Sequence, residues 1–261
     1  MKRQLWPIIL VFLTTLISCH QFESPSQPNN IYLPDNRKIL VDRHYPWTAI
    51  GRFTKSGCTG TLVEKELVLT AAHCFTSNRS EYQNESFELF MQNGKSMARA
   101  NVIHVWLGST NPSSDRSKDW AIIKIDKPLG LHFGWFGVDG VKPVQGELVS
   151  LAGYSVDIAS GRSITLHRDC RIRGWEKELT LHDCDSSRGA SGAALFKWKY
   201  EASEKKFLPY VVGLHIGEFR GGAPNSLILP DYSDLYANCA ISPKEFLPTT
   251  NMILEAQSKN L

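Results

Sequence analysis

From Ile39 onward the chain is cut into short apolar runs by turn-forming residues. Trp47-Thr-Ala-Ile50, Gly60-Thr-Leu-Val63, Leu67-Val-Leu-Thr70, Ala121-Ile-Ile-Lys-Ile125, Leu148-Val-Ser-Leu-Ala152, Ser163-Ile-Thr-Leu166, Ala193-Ala-Leu-Phe196 and Pro209-Tyr-Val-Val-Gly213 are rich in Val, Ile, Leu and Thr. Gly, Asn, Asp or Pro bounds them. Runs of this kind predict an antiparallel all-β sandwich or barrel. Helix signals are confined to the end of the chain. Ser242-Pro243-Lys244-Glu245 offers a cap, a first-turn proline and an acidic third position. Pro248 is expected to interrupt that helix, and a second helical stretch is expected over 251–257.

The 261 residues suffice for one or two domains with a sizeable core. At 42% hydrophobic and 21% charged, the chain is neither disordered nor collagen-like. Lys+Arg number 29 and Asp+Glu 26, a formal charge of +3, and no basic run of five occurs. That balance gives no electrostatic case for nucleic acid.

The first residues read as an address. Met1-Lys2-Arg3-Gln4 is a basic start, and Leu5 to Ile17 is a mostly apolar run of the length of an export-signal core, too short to span a bilayer. Leu16-Ile17-Ser18-Cys19 resembles the bacterial lipobox, in which the cysteine is diacylated and becomes the mature N-terminus. Two acyl chains would anchor the protein stably to a membrane, where one would not. The alternative is an ordinary secretory signal with an incidental cysteine. Residues 19–38 carry Pro25, Pro28, Pro34 and several Asn and Ser, and are expected to be a flexible tether.

Three short motifs carry chemistry. Leu67-Val-Leu-Thr-Ala-Ala-His-Cys74 ends in a His-Cys pair, but no second pair at zinc-finger spacing and no HExxH accompany it. Asp119-Trp120-Ala121 places a carboxylate at the mouth of a strand, a place where an ordinary turn residue also belongs. Gly189-Ala190-Ser191-Gly192 sets a serine between glycines, and Ala193 breaks the nucleophile-elbow pattern. Their order, His73, Asp119, Ser191, is that of chymotrypsin-like proteases.

All three motifs closely resemble the signatures of the chymotrypsin-fold (trypsin-like) serine proteases, and the resemblance covers residues about 39 to 235. It implies two six-stranded antiparallel β-barrels, the first over 39–140 with His73 and Asp119, the second over 141–261 with Ser191 and the C-terminal helical segment. The implied activity is endopeptidase cleavage of a polypeptide by a monomer, without cofactor or metal. A serine hydroxyl needs a base, and His73 would serve; Asp119 would hold its tautomer. The amides of Gly189 and Ser191 would form the oxyanion hole. Ala190 stands where trypsin-like zymogens carry the aspartate that captures a new α-amino group, which implies that activity does not depend on that switch.

Asp35-Asn-Arg37, Pro46-Trp-Thr-Ala-Ile-Gly51 and Gly213-Leu-His-Ile-Gly217 resemble the bacterial glutamyl-endopeptidase branch, and Cys184-Asp-Ser-Ser-Arg-Gly-Ala-Ser191 its cysteine-containing relatives. The resemblance pairs Cys58 with Cys74, and Cys170 and Cys184 would close a short second loop just upstream of Ser191, chemistry suited to an exported protein of the cell envelope. Cys239 is left over, free or paired with an unlipidated Cys19. The specificity pocket receives conflicting signals. Asp185 lies where trypsin-like enzymes bind Lys or Arg, while His215, with Ser186 as a second donor, matches the residue used for an acidic side chain. Each also has a bland role, Asp185 on backbone amides and His215 as a wall residue. Acidic specificity is favoured, because the match around His215 spans several positions. His44, His104, His132, His167 and His182 receive no role, and Trp47, Trp120 and Trp135 are assigned to the core. The competing reading is a catalytically silent binding lipoprotein on the same fold.

Overall fold

The computed structural model describes residues 29–76, 84–219, 228–229 and 231–259. The expected export signal and Cys19 lie outside the described residues. Six strands form the first barrel: β3 (Ile50–Phe53), β4 (Thr59–Leu62), β5 (Leu67–Thr70), β6 (Ser86–Leu89), β7 (Ala98–Leu107) and β8 (Ala121–Ile125). Their order is β3-β4-β5-β8-β7-β6, closed by β3 against β6. Closure removes the exposed edges that an open sheet would carry. Its centre is aromatic. Phe53 is fully buried, with its ring centroid 4.9 Å from that of Phe75 and 5.1 Å from that of Phe87.

The second barrel is built from β10 (Leu148–Gly153), β11 (Thr165–Glu176), β12 (Leu179–His182), β14 (Ala194–Glu201), β15 (Lys206–Glu218) and β17 (Asn238–Ile241). They run β10-β14-β15-β17-β12-β11, and the β10–β11 pairing closes the ring. The short strands β2 (Lys38–Ile39) and β9 (Gly137–Val138) add to its outside. The two expected barrels are therefore present.

The N-terminal segment differs from expectation. The tether expected over 19–38 ends earlier. Strand β1 (Asn29–Tyr32) pairs antiparallel with β13 (Ser186–Ser187) and parallel with β16 (Ile228–Leu229), and Asn30, Ile31 and Tyr32 are buried. Residues 38–39 likewise pair with β11 of the second barrel, so the first barrel begins at Ile50 rather than residue 39. Of the residues that suggested a linker, Asn29 and Asn30 pair in the ladder, and the Asn30 and Asn36 side chains donate hydrogen bonds.

Local corrections follow from hydrogen bonding. Trp47–Ala49 is a 3-10 turn, not a strand, because Trp47 N–H donates to His44 and Ala49 N–H to Pro46 within the segment itself. At the C-terminus, Pro243–Glu245 is a 3-10 turn, and the Ser242 side chain does not cap it. Helix α3 (Leu247–Ser258) carries Pro248 in its first turn, where a missing N–H costs nothing, so Pro248 starts the helix instead of interrupting it.

Both pairings implied for the cysteines occur. Cys58–Cys74 joins the start of β4 to helix α1 (His73–Thr76), and Cys170–Cys184 joins β11 to the segment after β12. Each closes a loop worth about 3 kcal/mol in the chain-entropy account. Cys239 is a buried free thiol, which burial pushes up to about 12.

Phe53→Ala empties the centre of the first barrel and should cost about 3–5 kcal/mol; a denaturant midpoint unchanged from wild type would contradict the packing described.

Candidate active site

Strand register brings His73 and Asp119 together. Thr70 on β5 pairs with Ala121 on β8 in an antiparallel ladder. His73 lies three residues beyond Thr70, and Asp119 two before Ala121, so both emerge at the same end of the barrel. Buried Ala71 and Ala72 lead into the single turn of α1, while the 3-10 turn Arg116–Lys118 delivers Asp119.

Both Asp119 carboxylate oxygens are committed to His73. The His73 backbone N–H donates to Oδ1 at 2.7 Å, and the ring Nδ1–H donates to Oδ2 at 2.8 Å. The Asp119 side chain is 7% exposed and that of His73 37%. This pairing puts the ring proton on Nδ1 and leaves Nε2 as an acceptor. His73, Asp119, Ser191 and His215 line one cleft of about 430 Å³.

Ser191 sits in a loop whose carbonyls are tied down. Thr59, at the start of β4, donates its N–H to Ser191 O at 2.9 Å and its hydroxyl to Gly189 O at 2.9 Å. Val156 N–H donates to Arg188 O at 2.8 Å, and Ala193 N–H to Ala190 O at 2.9 Å. In a trans peptide the C=O and the next N–H point opposite ways. Holding Arg188 O therefore aims Gly189 N–H, and holding Ala190 O aims Ser191 N–H. Neither amide has an acceptor among the described residues. The turn needs glycine. Gly189 has φ +95°, and a Cβ there would lie 2.4 Å from Tyr154 O.

The specificity residues divide. His215 is buried and lines the cleft. Asp185 does not line it. Its carboxylate accepts from Tyr32 N–H at 2.8 Å and Asn36 N–H at 3.0 Å, so the backbone-amide reading of this residue is the correct one. Ser186 is buried in the ladder opposite Asn30, and the cleft wall is made by Ser187 and Arg188 instead. The order of β15, β17 and β12 explains a further contact that the sequence did not reveal. His215 pairs with Ala240 and His182 with Asn238, so both rings flank β17. Their nitrogens, His182 Nε2 and His215 Nδ1, are 3.2 Å apart.

A backbone amide sets the direction of this pair. Cys184 N–H donates to His182 Nδ1 at 3.2 Å, leaving the His182 proton on Nε2, from which it is donated to His215 Nδ1. The remaining His215 proton is then on Nε2. Both rings are neutral. Burial, reinforced by the neighbouring His215 imidazole, holds His182 well below the ordinary histidine value. Burial, with the charges of His73 and Arg116, pushes His215 down to about 3. Behind them, His167 Nδ1 accepts from Asp185 N–H at 2.8 Å, so that nitrogen has no proton for the Asp185 oxygen 3.1 Å away.

Three charged cleft residues escaped the sequence reading. Arg116 donates to Phe219 O at 2.7 Å and to Cys239 Sγ at 3.2 Å, bridging the two barrels. Arg188 is exposed on the Ser191 loop. Glu218 ends β15, and burial pushes its carboxyl up. Only Arg188 had a signal, its place in the Cys184–Ser191 motif. Cys58, Cys74 and His73 also gather closely enough to suggest a metal cluster, but both sulfurs are spent in the disulfide and offer no thiolate.

The profile of the trypsin-like peptidase domain matches residues 58–201. Serine protease 23 of Bos taurus is 23% identical over 216 residues, covering 72% of this chain and 56% of that protein. Kallikrein 1-related peptidase b11 of Mus musculus is 26% identical over 110 residues, covering 38% of this chain and 40% of that one. The chain spans about half the length of the curated relatives it matches. The solved structure of a Glu endopeptidase in complex with MPD superposes with a TM-score of 0.66 at 21% identity, covering 85% of this chain and 98% of that one. At that identity the likeness is one of fold.

The two neutral histidines give stability a pH signature. In the unfolded chain each takes a proton below about pH 6.5. Their folded values are depressed, so their contribution is complete above that pH and is lost as pH falls toward 3. The melting temperature should fall between pH 7 and 4, less steeply in His215→Gln; equal slopes in both proteins would contradict the assignment.

Proposed function

The chain belongs to the trypsin-like peptidase family, and from that premise we propose that it is an exported serine endopeptidase acting through His73, Asp119 and Ser191. The observation that carries this reading is the double hold of Asp119 on His73, which leaves Nε2 free to act as a base in the cleft shared with Ser191. In the proposed reaction Nε2 takes the Ser191 proton as Oγ attacks the peptide carbonyl. The oxyanion is received by the Gly189 and Ser191 amides, and Asp119 stabilises the imidazolium. That proton passes to the leaving amine, and water then releases the acyl group by the same steps.

Two disulfides fit an oxidising compartment. With Leu-Ile-Ser-Cys19 they support export, with the protein tethered to the cell envelope by a lipidated Cys19. An acidic residue before the scissile bond is the proposed preference. His215 supports it as a neutral ring whose Nε2–H is left to donate to a carboxylate. Asp185, the residue that would have opposed it, is occupied by backbone amides. Glu218 is the opposing group in the cleft, and its raised carboxyl value keeps it protonated to higher pH than an ordinary glutamate.

A fluorophosphonate should label the wild-type protein at Ser191 and leave Ser191→Ala unlabelled and inactive. Absence of labelling in folded wild type would support the silent binding protein instead.

On a peptide library, cleavage after Glu should dominate and fall about tenfold or more in His215→Ala, as expected for losing a hydrogen bond to a charged group. Glu218→Gln should raise Glu cleavage at neutral pH, with a gain that shrinks as pH falls and wild-type Glu218 becomes protonated. Preference for Lys or Arg would refute the acidic assignment.

A further inference from the structure

The nucleophile loop lacks the carboxylate that a captured α-amino group would need, since Ala190 stands there. A different charged group is buried beside it. The Arg37 side chain is 2% exposed, although it belongs to the segment expected to be a tether. Its Nε and Nη2 donate to Asp35 at 3.0 and 2.9 Å, and its Nη1 and Nη2 donate to Asp157 at 3.0 and 2.5 Å. Asp157 also accepts from the Ser187 hydroxyl. Asp157 immediately follows Val156, whose N–H holds Arg188 O at 2.8 Å. Arg188 O belongs to the same peptide unit as Gly189 N–H. On the other side of the loop, β1 pairs with Ser186 and Ser187, and the Asp185 carboxylate binds the Tyr32 and Asn36 amides.

We propose that Arg37 is a positioning residue for the oxyanion hole: locked onto Asp157, it fixes the segment that holds the Arg188 carbonyl and thereby aims the Gly189 N–H. The inference rests on the proteolytic reading above and adds to it that the N-terminal segment, through Arg37, serves in place of an activation switch. Burial alone would push the Asp157 carboxyl up, but the Arg37 guanidinium and the Ser187 hydroxyl outweigh it and hold it below the usual carboxylate range, so the pair is ionised near neutral pH. A two-pronged guanidinium sets direction as well as charge, which a lysine ammonium does not.

The test uses the full chain with Arg37→Met, Arg37→Lys and Ser187→Ala, each checked for native near-ultraviolet circular dichroism. Arg37→Met should lower kcat about a hundredfold, the loss typical of one misdirected oxyanion donor. KM should change little, and the pH midpoint of the rate profile should stay in place. Arg37→Lys should recover part of the loss, and fluorophosphonate labelling should slow in parallel. If Arg37→Met does not fold, Ser187→Ala decides, with a smaller kcat loss expected at unchanged KM. Wild-type kcat in the folded variants, with only a lower melting temperature, would overturn the inference. Failure of the probe to label wild type would remove the proteolytic reading and this inference with it.

Discussion

Every carbonyl from Ser187 to Ser191 accepts a hydrogen bond, from Ala190, Val156, Thr59, Ala193 and Thr59 again. The two Thr59 bonds come from the first barrel, where Thr59 adjoins Cys58 and hence the disulfide to Cys74, next to His73. His73 and Ser191, the proposed base and nucleophile, are thus referred to one short stretch of chain, although they belong to different barrels. Gly192 reinforces the junction: its N–H donates to His215 O, and a Cβ there would lie 2.2 Å from Thr70 Oγ1. Only glycine permits the two barrels to meet so closely at this point.

The electrostatics of the cleft follow from who is left without a partner. Asp119 spends both oxygens on His73, and Asp185 spends its own on two backbone amides. A buried carboxylate without such donors would be costly, and amides satisfy it without adding a charge. The buried imidazoles solve the same problem by staying neutral. The Cys184 amide orders their protons in one direction, toward the cleft, so a dipole rather than a cation faces it.

The N-terminal segment shows how polar composition misleads. Asp35, Asn36 and Arg37 read as linker residues because linkers are polar. Here Asn36 N–H donates to Asp185, and the Arg37 guanidinium donates to Asp157 and back to Asp35, so the segment is tied to the second barrel. A segment can be rich in Asn, Asp and Pro and still be structural, provided its hydrogen bonds are answered.

The sequence by itself determined most of the strand runs it offered and the separate motifs around His73, Asp119 and Ser191, because these are local: apolar runs of strand length, glycines at a sharp turn, a carboxylate at a strand mouth; the two barrels came from the resemblance those motifs carry. It also pointed to both disulfides, Cys58–Cys74 through resemblance and Cys170–Cys184 through its short loop beside Ser191. What tertiary structure decided was direction and neighbourhood. Asp185 and His215 are both plausible pocket residues in one dimension, and only the fold turns one toward Tyr32 and Asn36 and the other toward the cleft. His182 meets His215 because β12 and β15 flank β17, an adjacency between segments distant in the chain. Arg37 meets Asp157 for a similar reason: β2, which follows Arg37, pairs with the start of β11, and such pairings bring together residues whose side chains carry no mark of each other in the sequence.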